Sequence, residues 1–338
     1  MTILVIGGTG FIGTPLVRCL VRDNHDVMVF HRGRTSAALP GAVKALHGDR
    51  NALTNHKDAI AAAAPDVVVD VVPYTEAQAR QVVDVCGAVA DRLVAVSSSD
   101  VYRNYDGWRG KSDHDPDPVP LTEDAPLRDT LYPYRGLDGL DFEYAHDYEK
   151  LLVERVVMSA PSLTGTILRL PAVYGPGDAH HRLGPYVRRM ADDRPAILMG
   201  EREAAWRWTH GYVENVAAAI AMAVTHPRAE GAIYNVGEAE TPTRRERVRE
   251  LAAAVGWGGE VVTAPAAALP PALQTPGHWA YELATDTRRL HDDLGFEPPV
   301  SRTEALRRTA LWACADRGAH QTSYRDEDAA LREFGEVD

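Results

Sequence analysis

The first thirteen residues constrain the fold more than any other part of the chain. Residues 3–6 form a short apolar run of strand length and β-branched character, a glycine-rich turn follows, and helical spacing of apolar residues starts at Phe11. In this setting backbone N–H groups and the positive end of the helix dipole bind a phosphate group. We therefore expect a dinucleotide-binding loop at this position.

The glycines of this turn follow a Gly-x-x-Gly-x-x-Gly spacing. We expect Gly7 to permit the tight turn, Gly10 to let the backbone approach a pyrophosphate, and Gly13 to let the helix pack against the strand. A glycine triplet alone is a weak signal, and its place between a strand and a helix is what favours nucleotide binding.

The first half of the chain alternates strand-like and helix-like segments. Strands are predicted at residues 27–30, 43–46, 67–72, 93–96 and 166–170, and helices at 52–64, 75–90 and 144–158. Residues 67–72 are an almost unbroken apolar run, which is typical of a strand buried on both faces. The alternation predicts an α/β fold with a doubly wound parallel sheet of the Rossmann type, whose ligand lies at the carboxyl ends of the strands.

The second half of the chain has shorter segments of mixed type. We expect residues 1–174 to form the dinucleotide-binding domain, with a return segment near 207–235. Residues 175–338 then form a smaller, partly discontinuous α/β domain that binds substrate. Residues 103–142 show no periodicity, and so long a loop is typical of a lid or a binding loop, with a solvated acidic loop as the alternative.

Charge and cysteine content exclude several classes of protein. The formal net charge of −12 argues against non-specific binding to nucleic acid or to an anionic membrane. Cys19, Cys86 and Cys314 lie far apart and predict neither a disulfide framework nor a metal site. No apolar run approaches the roughly 20 residues of a membrane span, and a strand at residue 3 leaves no room for a signal peptide. We expect a cytoplasmic protein whose partner is a small-molecule substrate.

Several segments, in this order, resemble the short-chain dehydrogenase/reductase superfamily, in its extended and atypical branch of NAD(P)-dependent epimerases and dehydratases. They are residues 7–13 (GGTGFIG), 96–102 (VSSSDVY), 150–154 (KLLVE), 168–177 (LRLPAVYGPG) and, more weakly, 213–217 (VENVA). The resemblance implies a hydride-transferring nicotinamide cofactor and a site in which serine, tyrosine and lysine act together. It also implies a homodimer, which such proteins often form through the helices that correspond to residues 76–90 and 144–158.

The tyrosine of that site is the acid/base in this family, and a lysine four residues later lowers its pKa and holds the nicotinamide ribose. None of the four lysines of this chain has a tyrosine at that spacing, and the family pattern aligns His146 with the tyrosine and Lys150 with the lysine. Three interpretations stay open. His146 replaces the tyrosine, or Tyr144 or Tyr148 reaches the site from an irregular helix start, or the reaction has been lost.

The family's catalytic hydroxyl group and a possible second acid lie before Val101. Ser98 takes the position of the hydroxyl that polarises the substrate oxygen, and Asp100 lies where dehydratases have a glutamate that removes a sugar proton. The neighbouring acid of those dehydratases is replaced here by Ser99, so sugar 4,6-dehydration is not expected. The candidates for substrate contact are Ser99, Tyr102, Arg207 and His180.

The residues after the second strand favour NADP over NAD. An acidic residue there binds the ribose 2′-hydroxyl of NAD, whereas this chain has Arg32 and Arg34, whose guanidinium groups attract a 2′-phosphate. The resemblance implies that Asp49 lies near the adenine. The other expected cofactor contacts are Gly7, Gly10, Phe11, Ile12, Gly13, Val71, Val72, Pro73, Lys150, Pro171 and Val173.

We therefore expect an NADP-dependent oxidoreductase or epimerase that acts on a carbonyl or hydroxyl carbon of a small polar substrate, either a nucleotide sugar or a secondary metabolite. An alternative from another class is an NADP-binding sensor or regulatory protein of the same fold without turnover. The missing Tyr-x-x-x-Lys pattern favours that alternative.

Overall fold

The computed structural model describes residues 1–34, 37–137, 143–316 and 323–334. The strands in these ranges are β1 (Thr2–Ile6), β2 (Asp26–His31), β3 (Lys44–His47), β4 (Val67–Asp70), β5 (Arg92–Ser98), β6 (Thr164–Leu170), β7 (Ala172–Tyr174), β8 (Ala196–Gly200), β9 (His210–Tyr212), β10 (Ile233–Asn235) and β11 (Glu260–Ala264). The α-helices are α1 (Gly13–Arg22), α2 (Lys57–Ala63), α3 (Glu76–Cys86), α4 (Arg103–Trp108), α5 (Lys150–Met158), α6 (Gly184–Ala191), α7 (Glu201–Ala205), α8 (Val213–Thr225), α9 (Arg244–Val255), α10 (Arg288–Leu294), α11 (Arg302–Ala315) and α12 (Arg325–Phe334).

The main sheet has seven strands in the order β10-β6-β5-β4-β1-β2-β3. Every pairing in it is parallel, so the carboxyl ends of all its strands lie at one edge. The chain builds outward from β1 in one direction through β2 and β3, and then in the other direction from β4. A crevice for a ligand is expected at this switch between β1 and β4. The doubly wound parallel sheet is confirmed.

Both faces of the sheet are covered, which explains the unbroken apolar strands. Ile3 and Val5 of β1 point into a core formed with α1 and α8, whereas Leu4 and Ile6 point into the opposite core formed with α3 and α5. All residues of β4 are buried. Alternate side chains of one strand therefore serve two apolar layers, as in other parallel sheets.

The smaller C-terminal part contains a parallel pair of strands, β8 and β11. Helices α9 and α11 pack against each other beside it, and α6 packs against α11. Strands β7 and β9 form a second parallel pair, and β10 returns to the edge of the main sheet. The chain therefore crosses between the two parts more than once after β6.

Several predicted elements differ from the structure in their boundaries. The helix expected over 144–158 begins only at Lys150, because Glu149 has an extended backbone (φ −157°) and its carboxylate accepts a hydrogen bond from the N–H of Leu151. The helix expected over 52–64 is divided at His56 (φ −112°) into a 3-10 helix over Arg50–His56 and α2, and the 3-10 helix is itself kinked by the non-helical backbone of Ala52. The patternless stretch 103–142 begins with α4.

Candidate active site

The three glycines of the N-terminal turn differ in what an added side chain would meet. Gly7 has a φ of +87°, and a Cβ on it would lie 2.8 Å from Cγ2 of Val72. A Cβ on Gly13 would lie 2.2 Å from the carbonyl oxygen of Gly7, so the helix packs directly on the strand end. A Cβ on Gly10 meets nothing closer than 3.7 Å. Gly7 and Gly13 are therefore required by the protein's own packing, whereas Gly10 leaves open space in front of α1.

A cleft of about 200 Å³ lies beside this turn and is lined by residues from the ends of β1, β2, β3 and β4. Arg34 lies exposed at its edge, and Arg32 lines it while also pairing with Glu143 at 3.2 Å. Asp49 is exposed, and its carboxylate accepts a hydrogen bond from the N–H of Asn51. The lining residues nearest to it in sequence are Gly48 and Arg50. A cleft with a glycine turn, a helix start and two arginines fits the phosphates of a dinucleotide.

The buried arginine in this cleft fixes the end of β4. The guanidinium of Arg50 binds both carboxylate oxygens of Asp70 at 2.9 Å, and it also donates to the carbonyl of Val72. Val72 lines the cleft, whereas Val71 lies in the core. The backbone after β4 is therefore held in a defined path beside the glycine turn.

Two tyrosines form the far side of the same cleft. The Tyr144 ring stacks on the Tyr74 ring at 5.4 Å, and the Tyr144 hydroxyl accepts a hydrogen bond from the side-chain amide of Asn51. Tyr144 thus lies in the cofactor cleft rather than among the candidate catalytic groups. Sequence reasoning missed Tyr74, although its position directly after Pro73 at the end of a buried strand was a usable signal.

The candidate catalytic groups meet around Asp100, which is 2% exposed. Its Oδ2 accepts hydrogen bonds from the hydroxyl groups of Tyr148 at 2.8 Å and Tyr134 at 3.0 Å. The Ser98 hydroxyl hydrogen-bonds to Tyr148 and also accepts from the N–H of Asp100. The second carboxylate oxygen, Oδ1, is buried without a hydrogen-bond partner among the described residues. We call Ser98, Asp100, Tyr134 and Tyr148 the Asp100 cluster.

The electrostatics of this cluster differ from the family pattern. Burial, and then the charge of Asp100, raise the pKa of Tyr148 well above its ordinary value, and the Ser98 hydroxyl opposes that shift. Burial lowers the pKa of Lys150 to about 8, although Asp100 and Asp70 oppose the change. A proton on Tyr148 is therefore held firmly and has a carboxylate next to it.

The Lys150 ammonium group hydrogen-bonds to two backbone carbonyl oxygens. It donates to the carbonyl of Pro73 at 2.8 Å and to that of Val96 at 2.9 Å, below the rings of Tyr74 and Tyr148. These carbonyls follow β4 and lie within β5. Lys150 thus joins the cofactor side of the site to the Asp100 cluster.

His146 lies outside this cluster. Its side chain is 78% exposed, and its Nδ1 lies 3.0 Å from a carboxylate oxygen of Asp147. The expected spacing of one helical turn between His146 and Lys150 does not exist, because the helix begins at Lys150. The irregular backbone before the helix instead directs Tyr148 to Ser98 and Asp100.

A buried ion pair produces this irregular helix start. Arg128 and Glu149 bind through two hydrogen bonds of 3.0 and 2.6 Å, and both side chains are 0% exposed. Arg128 also donates to the backbone carbonyl of Asp100, and Glu149 accepts from the N–H of Tyr132. The pair therefore fixes the segment that carries Tyr134 against the start of α5. Sequence reasoning missed Arg128, Tyr134 and Glu149, since their partners lie on distant segments.

The remaining substrate candidates are spread over the structure. Ser99 is buried in the 3-10 helix after β5. Tyr102 is also buried, and its hydroxyl donates to Asn235 and accepts from Arg169, so it belongs to an internal network. Arg207 and His180 are exposed. The structure does not bring these four residues together.

The other expected cofactor contacts divide between the cleft and the core. Phe11 lines a second cleft of about 660 Å³ that shares Thr9 and Gly10 with the first. Ile12 precedes α1 and packs against the core. Val173 lies in the core, and Pro171 packs where a Cβ of Gly211 or Gly237 would be placed.

Residues 1–34, 37–137, 143–316 and 323–334 contain neither a candidate membrane span nor a candidate metal site. None of the helices in those ranges is long and apolar enough to cross a membrane. Among the same residues, no group of three or more histidine, cysteine, aspartate and glutamate side chains has the geometry to hold a metal ion.

Comparison with known proteins identifies relatives of this chain. A family model described as the NAD dependent epimerase/dehydratase family matches residues 3–237. The chain is 28% identical to 2′-dehydrokanamycin reductase of Streptomyces kanamyceticus, over 79% of this chain and 70% of that protein. It is also 28% identical to 2-alkyl-3-oxoalkanoate reductase of Stenotrophomonas maltophilia, over 76% of each.

A solved structure shares the fold over almost the whole chain. It is the UDP-glucose 4-epimerase of Thermus thermophilus in complex with NAD, with a TM-score of 0.64 and 24% sequence identity. The match covers 95% of this chain and 100% of that one.

Proposed function

The chain belongs to the NAD dependent epimerase/dehydratase family, and on that premise we propose that it is an NADP-dependent reductase or dehydrogenase acting on a carbonyl or hydroxyl carbon of a small polar substrate. The observation that carries the proposal is Tyr148, which joins Ser98 to Asp100 above Lys150. A hydroxyl group, a phenol and a carboxylate in contact form a path along which a proton can move. Two relatives that are named reductases support the same reaction class.

Residues of two regions would hold the dinucleotide. The turn at Gly7–Gly13 and the start of α1 would bind its pyrophosphate, and Tyr74 and Tyr144 would contact its adenosine part in the cleft they line. Arg34, with Arg32, would bind a 2′-phosphate, which is the basis for proposing NADP rather than NAD. Bound nicotinamide dinucleotide supplies the hydride in reduction and takes it up in oxidation.

The Asp100 cluster would transfer the proton that the substrate oxygen loses in oxidation and gains in reduction. In oxidation, the substrate hydroxyl gives its proton to the Tyr148 oxygen while Tyr148 passes its own proton to Oδ2 of Asp100, 2.8 Å away. In reduction the same path would run in the opposite direction, with Tyr148 giving its hydroxyl proton to the substrate oxygen and regaining a proton along its hydrogen bond with Asp100. Ser98 would hydrogen-bond to that oxygen and orient it. Because Asp100 receives the proton, Tyr148 does not need the lowered pKa that the family's lysine normally provides.

The experiment is hydride transfer from NADPH that carries deuterium at both positions of nicotinamide C4. The enzyme is incubated with this coenzyme and a panel of keto sugars and 3-oxo acids, and the products are analysed by mass spectrometry. We expect one deuterium on the former carbonyl carbon of a reduced product, and no transfer in the Asp100→Asn variant. If the coenzyme binds but no deuterium is transferred to any compound, the result would favour the alternative of an NADP-binding sensor or regulatory protein without turnover.

The quaternary state and location belong to the same proposal. The resemblance supports a homodimer that forms through α3 and α5, which pack against each other within one subunit. The cytoplasm is proposed as its location. We expect sedimentation equilibrium to give twice the mass of the chain. A measured mass equal to that of a single chain would contradict the homodimer.

A further inference from the structure

A carboxylate lies beside the arginines of the cofactor cleft, and it comes from a distant part of the chain. Arg32 follows β2 and lines the cleft, and its Nη1 lies 3.2 Å from Oε2 of Glu143, which is 111 residues away in sequence. The two side chains are 40% and 54% exposed. The ion pair is therefore open to solvent and to a ligand that enters this end of the cleft.

The backbone that carries Glu143 is held at this edge by contacts of its neighbour. The ring of Tyr144 stacks on that of Tyr74 at 5.4 Å, and the Tyr144 hydroxyl accepts a hydrogen bond from the side-chain amide of Asn51 at 3.1 Å. Both tyrosines line the cleft. Glu143 therefore stays close to a bound ligand even when Arg32 turns to another partner.

Two other acids near this cleft already have structural partners. Asp70 is buried and gives both carboxylate oxygens to Arg50. Asp49 accepts a hydrogen bond from a backbone N–H and so caps the 3-10 helix that follows it. Of these three acids, Glu143 is the one whose ion pair is exposed to a ligand.

A 2′-phosphate would compete with Glu143 for Arg32. An exposed ion pair contributes little because water screens it, whereas an arginine can bind a phosphate through two parallel charge-assisted hydrogen bonds. The phosphate therefore takes the guanidinium, and Glu143 is left beside it. Because the carboxylate and the phosphate have like charges, their repulsion weakens the binding of NADPH.

A 2′-hydroxyl group would interact with the same carboxylate in the opposite sense. In dinucleotide-binding folds, an acid near the ribose accepts a hydrogen bond from this hydroxyl group. Residues 31–34, which end β2 and follow it, read HRGR and supply no acid. With NADH bound, Arg32 keeps its partner Glu143 in place, and the carboxylate can accept the hydroxyl hydrogen.

From these features we propose that Glu143 determines how strongly the protein distinguishes two coenzymes, because it competes with the 2′-phosphate of NADPH for Arg32 and accepts a hydrogen bond from the 2′-hydroxyl of NADH. The wild type then binds both coenzymes, and its preference for NADPH is smaller than the arginines alone would give. The inference rests on the proposed function in one respect, namely that a nicotinamide dinucleotide occupies the cleft.

The test is calorimetric titration of the full-length protein with NADPH and NADH as separate probes. In Glu143→Ala we expect the Kd for NADPH to fall about fivefold, because a like charge is removed, and the Kd for NADH to rise about fivefold, because an acceptor is lost. Asp147→Ala is the matched control, since Asp147 is an exposed acid of the same segment that pairs with Arg135. It should leave the ratio of the two Kd values as in the wild type.

A double-mutant cycle separates competition for Arg32 from a general effect of charge. In Arg32→Ala no guanidinium is left for Glu143 and the phosphate to share. Adding Glu143→Ala to that variant should therefore tighten NADPH binding less than the same change does in the wild type. Equal gains in the two backgrounds would show that the two groups do not compete for Arg32.

Thermal unfolding of each variant shows whether it is folded before it is compared. If folded Glu143→Ala has the same ratio of Kd values as the wild type, or changes it only as much as Asp147→Ala does, this inference alone is overturned. A wild type that binds neither coenzyme would overturn it together with the proposed function. The expected change of ratio without any hydride transfer would support this inference and count against the proposed function.

Discussion

Tyr148 is the residue on which the proposed chemistry depends most. Removing its hydroxyl in Tyr148→Phe breaks the path between Ser98 and Asp100 while the ring still fills its place. General acid–base catalysis contributes about 100-fold to 10,000-fold, so we expect kcat to fall at least about 100-fold with little change in the KM for NADPH. Steady-state kinetics with a compound that accepts deuterium in the hydride-transfer experiment measure both quantities.

The matched control for that variant is Tyr144→Phe. Tyr144 lies in the cofactor cleft and its hydroxyl accepts from Asn51, so its loss should raise the KM for NADPH and leave kcat within about threefold, since a single neutral hydrogen bond is worth about 1 kcal/mol. If the Tyr148→Phe enzyme keeps its activity, Tyr148 is not the acid/base, and the interpretations in which His146 or Tyr144 has that role are open again.

Lys150 gives the protein a pH-dependent stability. Burial lowers its pKa to about 8, whereas a lysine in the unfolded chain titrates near about 10.4. Between these values the unfolded chain binds more protons than the folded one, so the free energy of unfolding rises with pH, by at most about 3 kcal/mol. Lys150→Met lacks this contribution. Urea unfolding from pH 8 to pH 10 should show the wild type gaining stability over the variant, and parallel curves would contradict the account.

Arg34 decides the coenzyme in this account. It is exposed at the edge of the cleft, and Arg34→Ala should raise the Kd for NADPH about tenfold while leaving the Kd for NADH unchanged, as expected for one charge-assisted hydrogen bond. Arg80→Ala is the control, because Arg80 is an exposed residue of α3 that pairs with Glu76. Fluorescence titration with both coenzymes measures the difference, and an equal loss for both would reject the choice of NADP.

At the scale of elements, the start of α5 sets the geometry of the site. The Arg128–Glu149 pair is fully buried, and removing one partner of such a pair typically costs about 3–5 kcal/mol. We expect Arg128→Met to lose about that much in the free energy of unfolding by urea, with Tyr148 displaced. Arg135→Met, whose exposed partner is Asp147, should lose less than about 1 kcal/mol. Similar losses for the two variants would show that the buried pair does not hold this segment.

The elements also show what the sequence could predict. The strands β1 to β6 and the helix α3 follow from local patterns: short runs of apolar residues predict these strands, and Thr75 forms a capping box with Gln78 at the start of α3. The start of α5 does not follow from a local pattern, because it depends on the pairing of Glu149 with Arg128, 21 residues away in sequence. The prediction of a regular helix from residue 144 was wrong for His146, which precedes the helix and is not one helical turn from Lys150. The interpretation with an irregular helix start agrees with the structure in bringing Tyr148 to Ser98 and Asp100.

At the scale of the whole molecule, the candidate site is assembled from segments far apart in sequence. The glycine turn and the arginines after β2 could be predicted as parts of the cleft, since they lie within the first 34 residues. The contact of Tyr134 with Asp100 could not be predicted, because periodicity and spacing give information only about residues that are close in sequence.

The central claim is that the N-terminal turn binds a nicotinamide dinucleotide, and Gly10→Ala tests it most directly. Gly10 is outside the left-handed region and an added Cβ has 3.7 Å to its nearest neighbour, so the variant should fold with its free energy of unfolding within about 0.5 kcal/mol of the wild type. Calorimetric titration should show the wild type binding NADPH more tightly than NADH, and Gly10→Ala binding NADPH at least about tenfold more weakly, a loss of about 1.4 kcal/mol. A wild type that takes up neither coenzyme, or a folded variant that binds NADPH as tightly as the wild type, would contradict the account.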